Sequence, residues 1–195
     1  MVALPSTRAS AKSRDDRIAQ EAREESRSNA PLSSLPDPPD RAVTATSERY
    51  AKEFIAGWAM MDMNGHMANT AYLDLAADVR ISFFAEHGFP PSELRRLAIG
   101  PVIRKDEIEF RREIGLHDRV TVTYLALAMS EDGARFIVQN DFHSASGELS
   151  ASLRSTGGWL DLRARKLIVP PPALRAAFEH VPRGSEYVVL PPKGG

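Results

Sequence analysis

The chain has 195 residues, 43% hydrophobic and 26% charged, the composition of a globular protein with length enough for one core. Its 25 Lys and Arg against 26 Asp and Glu give a formal net charge of -1, so no general positive field gathers nucleic acid. The lack of cysteine excludes disulfides, thiolate nucleophiles and cysteine-ligated metals, and suits a reducing cytoplasm.

From the N-terminus, residues 1–46 carry few large apolar side chains, alternate in charge and end in the Pro and Ser cluster Pro31 to Pro39. Such a stretch cannot bury enough surface to offset its ordering entropy, which predicts a disordered tail. Asp15 to Glu25 can form a charged helix, but Ile18 alone supplies no apolar stripe. Its Arg, Ser and Ala content suggests a transit peptide, against which stand Asp15, Asp16, Glu21, Glu24 and Glu25. There is no secretory apolar core and no run of about 18 apolar residues, so neither a signal peptide nor a membrane span is expected.

A single ordered domain is expected over 47–180. It begins near Tyr50, where Phe54, Ala56 and Trp58 share one parity and predict a half-buried strand. A polar loop, Asp62 to Met67, follows. Tyr72, Leu75, Ala76, Val79 and Phe83 then recur at helical spacing, with Leu73, Ile81 and Phe84 on a second side, and Asn69 or Thr70 is suited to cap the start. This is a mostly buried helix of about 18 residues, stopped by Gly88, Pro90 and Pro91.

After a connecting segment, Pro91 to Gly100, the period changes to two. Val102 to Phe110, Val120 to Met129, Arg135 to His143 and Leu149 to Asp161 read as four strands of an antiparallel meander, with turns at Glu131-Asp132-Gly133 and Ser144 to Gly147. Ala173 to Phe178 reads as a short helix, and residues 181–195 as a C-terminal tail with a disordered end at Pro191 to Gly195. One apolar helix and one sheet must cover each other, so the expected fold class is α+β, with a curved antiparallel sheet wrapped around one long helix.

The chemistry concentrates in Asp62-Met63-Asn64-Gly65-His66-Met67-Ala68-Asn69-Thr70-Ala71-Tyr72. A helix start carries unpaired amides and a partial positive charge of about half a unit, which suits a carbonyl oxygen gaining negative charge. A carboxylate nearby can attack that carbonyl or deprotonate a water, and both roles are open to Asp62. His66 either orients substrate or water or makes a structural hydrogen bond. Gly65 fits a positive φ or close approach to a ligand. Asn69 is read as an N-cap whose amide also serves the substrate, and Tyr72 as core or pocket wall. Asp74 and Asp78 lie one helical turn apart, which calls for relief by an arginine such as Arg80 or by solvent. His117, His143 and His180 show no ligand spacing, and neither a metal nor a cofactor is expected.

The run from Asp62 through Tyr72, with Leu73-Asp74 and Asp78-Val79-Arg80, resembles the signature of the 4-hydroxybenzoyl-CoA thioesterase-like hotdog family: an acid before Gly-His, an Asn, a Tyr-Leu pair and an acid two before an Arg. Val102 to Phe110, Gly115 to Val122, Gly158 to Asp161, Arg165 and Pro170 to Leu174 follow the family's course, so the resemblance covers about Tyr50 to Phe178. It implies a hotdog fold and an acyl-CoA thioesterase without cofactor. It also implies a homodimer or dimer of dimers with sheets joined edge to edge and sites between subunits. In that scheme Asp62 is the nucleophile or general base, the Asn69 amide polarises the thioester, and Gly65 and Tyr72 meet the substrate. Met60 stands where the prototype has a further Asp, which leaves an aromatic or a fatty acyl group open. Arg104, Lys105, Arg111, Arg112, Arg154 and Arg163 are candidate partners for CoA phosphates. The alternatives are a non-catalytic acyl-CoA or lipid binder and a hotdog dehydratase or hydratase.

Overall fold

A computed structural model of the chain describes residues 49–192. The predicted tail, residues 1–46, with its charged helix, lies outside the described residues, as do residues 193–195 at the end of the predicted C-terminal tail. The elements are β1 (Tyr50–Ile55), a 3-10 turn (Trp58–Met60), α1 (Asn69–Glu86), α2 (Pro91–Leu97), β2 (Ile99–Phe110), β3 (Arg119–Ser130), β4 (Arg135–Ser144), β5 (Leu149–Asp161), β6 (Lys166–Leu167), α3 (Pro172–Glu179) and β7 (Arg183–Leu190).

The sheet runs in the order β1-β3-β4-β5-β2, with β6 on β5 and β7 on β3. Its antiparallel register puts one parity of every strand on a common inner face: Tyr50 pairs with Tyr124, Val122 with Phe142, Asn140 with Leu153, and Leu153 with Ile108. Against this face lies α1, whose Tyr72, Leu75, Ala76, Val79, Phe83 and Phe84 are all buried. The sheet curves around the single long helix, the architecture the hotdog resemblance implies. Each large side chain removed from water this way contributes roughly 1.5–3 kcal/mol. Edge-on ring contacts add specificity: Phe83 meets Tyr50 at 5.0 Å and Tyr124 at 5.5 Å, and Phe84 meets Trp159 at 5.3 Å. Beyond them α3 closes the far end of the core, its Phe178 stacked on Phe136 at 5.3 Å.

Several expectations change. Trp58 leaves the parity of β1: the strand ends at Ile55 and Trp58 sits in the 3-10 turn at 80% exposure. Backbone bonds from Ala56 N to the Asp118 carbonyl at 2.9 Å and from His117 N to the Ala56 carbonyl at 2.8 Å carry the pairing one residue past Ile55, and the chain then leaves the sheet into the 3-10 turn. Ile81 is 45% exposed, so the second apolar side of α1 is narrower than its sequence suggests. The connecting segment, Pro91 to Gly100, contains α2, started by Pro91 at its first position, and the opening of β2. The predicted meander holds for β3, β4 and β5, whereas β2 crosses to pair with β5. Most of the region read as a C-terminal tail, residues 183–190, is a strand: β7 pairs in parallel with the second half of β3, next to the half that β1 occupies. Alternation in RGSEYVVL is weak, and the strand exists because β1 leaves that part of the β3 edge unpaired.

Candidate active site

The loop from Met61 to Ala68 is held mainly by backbone bonds, with the Asp62 side chain closing its turn. Met61 and Met67 form an antiparallel bridge, as do His66 and Gly115. The Met67 amide donates to the Ile114 carbonyl at 2.8 Å and the Ala68 amide to Met60 at 2.8 Å. The loop reverses tightly at Gly65, whose φ of +87° favours glycine and whose missing Cβ would meet no atom within 4 Å, so conformation and not crowding selects it there. Asp62 closes the same turn: its amide donates to His66 at 2.9 Å, and its Oδ1 accepts the Asn64 amide at 2.8 Å. Oδ2 accepts the Asn64 Nδ2 amide at 3.5 Å and lies 3.5 Å from His66 Nδ1, while His66 Nε2 lies 3.9 Å from Glu113 Oε1. Side chains of Asp62 and His66 are 29% and 31% exposed, so both are supported by protein yet open to water.

Asn69 does not cap the helix. The capping position is Ala68, which offers no side-chain bond, and Asn69 is the first helical residue with its side chain exposed. The reason is tertiary: the two backbone bonds at Met67 and Ala68 set where the chain enters the helix, one residue before the better capping side chain. The Asn69 and Thr70 amides consequently find no backbone carbonyl or side-chain oxygen among the described residues. They form an uncapped helix head with the dipole behind it.

Asp62, His66, Asn69 and Tyr72 line one open cleft of about 510 Å³ with Met67, Phe110, Arg111, Arg112 and Glu113. Gly65 shapes the loop without lining the cleft. Tyr72 is buried, with its ring edge-on to Phe110 at 5.1 Å and to Phe142 at 5.0 Å. Burial, with Glu113 nearby, pushes its phenol above the ordinary value, which makes Tyr72 a wall and a poor proton donor. Asp74 and Asp78 are exposed on the other face of α1, away from Arg80, which turns to the sheet and bonds Ser155 Oγ at 2.8 Å. Sequence reading missed Phe110 and Glu113 as part of the site and did not rank Arg111 and Arg112 above other cations. Phe110 is the last residue of β2 and the other three follow it directly, some forty residues after the loop, and the one local signal was the charge cluster itself. A second cleft, of about 520 Å³, lies by Leu125, Asp141 and Arg183 and holds none of the predicted site residues.

No curated protein matches the chain. Among solved structures, a hypothetical protein of Staphylococcus aureus determined in complex with CoA superposes with a TM-score of 0.64 at 18% identity, over 77% of this chain and 94% of that one. A 1,4-dihydroxy-2-naphthoyl-CoA thioesterase from Synechocystis gives 0.60 at 17% identity, over 66% and 94%. A DHNA-CoA thioesterase from Staphylococcus aureus gives 0.62 at 16%, over 67% and 89%. At such identities the likeness establishes a common fold. The model of the thioesterase-like superfamily matches residues 56–178, from the end of β1 through the loop, the helix and the sheet to Phe178 in α3. Because that match spans more than half of the sequence, including every residue of the cleft, the chain belongs to the thioesterase-like superfamily.

Proposed function

We propose that the protein hydrolyses the thioester of an acyl-CoA to the free acid and CoA, with Asp62 as the reacting carboxylate. The observation that carries this reading is the shared cleft: a half-exposed carboxylate and an uncapped helix head open onto the same space. A thioester carbonyl placed at the head of α1 accepts from the Asn69 amide, and its oxygen gains charge where the dipole is positive. Asp62 Oδ2 takes the proton of an attacking water, or attacks the carbonyl itself to form an anhydride that water then opens. On the first route the tetrahedral intermediate expels the CoA thiolate, which takes up the proton held by Asp62; on the second the thiolate leaves as the anhydride forms and takes up the proton released when water opens it. His66 Nδ1 and Asn64 Nδ2 both stand 3.5 Å from Oδ2 and hold its orientation together. Membership of the superfamily and the CoA held by one structural neighbour support the substrate class. With no helix among the described residues long and apolar enough to cross a membrane, the reading fits a soluble enzyme of the cytoplasm.

Arg111 and Arg112 are the cations on the cleft rim, each in an exposed ion pair, with Glu109 at 3.4 Å and Glu148 at 3.1 Å. Exposed pairs of this kind hold their partners weakly, so phosphates can replace the carboxylates. Changing both arginines to Ala is expected to raise KM for an acyl-CoA by about tenfold or more and to leave kcat within a few-fold. An unchanged KM would move the CoA site elsewhere.

The cleft is one-sided in a single chain. Strand β2 ends the sheet path with one edge free over Ile99–Phe110, and Phe110 at its end, beside Tyr72, is 49% exposed. A second copy pairing along that edge covers Phe110 and closes the cleft. Light scattering is expected to give about twice the 21.5 kDa chain mass, or four times it; a monomer at micromolar concentration would overturn the pairing.

A further inference from the structure

The second cleft, of about 520 Å³, lies on the face of the sheet turned away from α1. Val138, Asn140 and Phe142 of β4 are fully buried on the inner face, so Gln139 and Asp141 point the other way and line this cleft. Its floor is Leu125 and Leu127 of β3, and one wall is an arch in β7. Between the pairs Ala126 with Arg183 and Ala128 with Val188, β3 has one residue where β7 has four, so Gly184 to Tyr187 bow off the ladder. The arch stays close to the floor at its start, where a Cβ on Gly184 would meet Leu127 Cδ2 at 2.8 Å.

Arg49, Asp141, Arg183 and Glu186 line the cleft, and none of them is in an ion pair among the described residues. Asp141 stands out because it is only 7% exposed. Its Oδ1 accepts from Gln139 Nε2 at 2.8 Å and from Ser152 Oγ at 2.7 Å, both neutral donors. Its Oδ2 takes no bond among the described residues, yet it is not sealed off from solvent. A carboxylate so far removed from bulk water is costly until a cation or a further donor meets it. The cations stand across the floor. Arg49 directly precedes the pair of Tyr50 with Tyr124, and Arg183 pairs with Ala126, so the two meet where β1 gives way to β7 along one edge of β3. Asp141 lies on β4, beyond the other edge of β3. Two strand spacings, about 10 Å, therefore separate the backbones that carry the opposite charges, with leucine between them.

We propose that this cleft binds a small amphoteric molecule, an ω-amino acid or a close analogue. Its ammonium meets Asp141 Oδ2, its methylene stem crosses Leu125 and Leu127, and its carboxylate lies between Arg49 and Arg183. The site is separate from the Asp62 cleft and does not depend on the thioesterase reading. A plain anion at the arginines would leave Asp141 unmet, and a plain amine at Asp141 would leave the arginines unmet. A metal ion lacks ligands, since no group of three or more His, Cys, Asp or Glu among the described residues can hold one. Two charges of each sign around one space favour a ligand that is neutral overall.

The probe is 6-aminohexanoate, titrated into the full chain by calorimetry, with hexanoate and hexylamine as one-ended controls. The native chain is expected to bind 6-aminohexanoate with a Kd of about 1 mM or tighter, at least about tenfold tighter than either control, and to melt at a higher temperature with it. Asp141→Asn keeps an oxygen for Gln139 and Ser152 but puts a donor in place of Oδ2; there the preference over hexanoate is expected to fall to about one. In the double variant Arg49→Ala with Arg183→Ala, the preference over hexylamine is expected to fall to about one. No binding of 6-aminohexanoate, a control that binds as tightly, or variants that bind it as the native chain does would each overturn the proposal. Should Asp141→Asn fail to fold, the double arginine variant decides, because both of its side chains are exposed and unpaired among the described residues.

Discussion

Asp62→Asn is expected to lower kcat by about 10²-fold to 10⁴-fold, the loss that follows when a positioned base or nucleophile is removed. The substitution is nearly isosteric, and the turn it occupies does not depend on charge. The Asn side-chain oxygen still accepts from the Asn64 amide, and the loop's backbone bonds, Asp62 to His66 and Met67 to Ile114, involve no carboxylate. Fold and KM should therefore be retained while turnover collapses, measured as free-CoA release alongside a melting curve. Turnover within a few-fold of native would reduce Asp62 to the residue that closes the turn and would leave the helix head as the source of any rate.

The largest expected effect on stability lies far from the cleft, at Gly157→Ala. Here β5 passes between β2 and β4, and a Cβ on Gly157 would be driven into the Val102 carbonyl oxygen, with Phe136 Cε2 at 2.9 Å and Ile103 Cδ1 at 3.1 Å. A backbone oxygen in a paired ladder cannot swing aside as a side chain can, so the β2–β5 pairing must open locally. Overpacking of this kind costs about 3 kcal/mol or more, and on a chain of this size it should lower Tm by roughly 6–12 °C. Gly65→Ala offers a contrast, since only the positive φ opposes the new methyl and nothing lies within 4 Å of it. Its cost should be nearer 1 kcal/mol. Urea melts of the two variants test the ordering, and a Gly157→Ala loss below about 1 kcal/mol would show that the strands can separate cheaply.

Local pattern was sufficient for much of this molecule. The 3.6-residue recurrence of Tyr72, Leu75, Ala76, Val79 and Phe83, ended by Gly88 and two prolines, marked α1 to within about two residues of Asn69–Glu86. Alternation and turn residues marked β3, β4 and β5, and Gly133 and Gly147 do take the positive φ that their turns need. The Asp62 to Tyr72 run carried most of the cleft, because an acid, a tight glycine turn and a helix start are contiguous in sequence and stay contiguous in space.

What only the tertiary structure decided are the features set by partners distant along the chain. Trp58 shares the parity of Phe54, yet it lies outside the sheet because pairing with β3 stops at Ala56 and the chain enters the 3-10 turn. Asn69 has the side chain of a cap, yet Ala68 holds that place because backbone bonds to Met60 and Ile114 fix the chain's direction first. Phe110 to Glu113 reach the cleft through the crossing of β2 to β5, and β7 arises from a stretch of β3 edge that β1 leaves open. Periodicity reports which side of an element is buried. It carries no information about which element does the burying, and that choice is made by the free energy of the whole packed sheet.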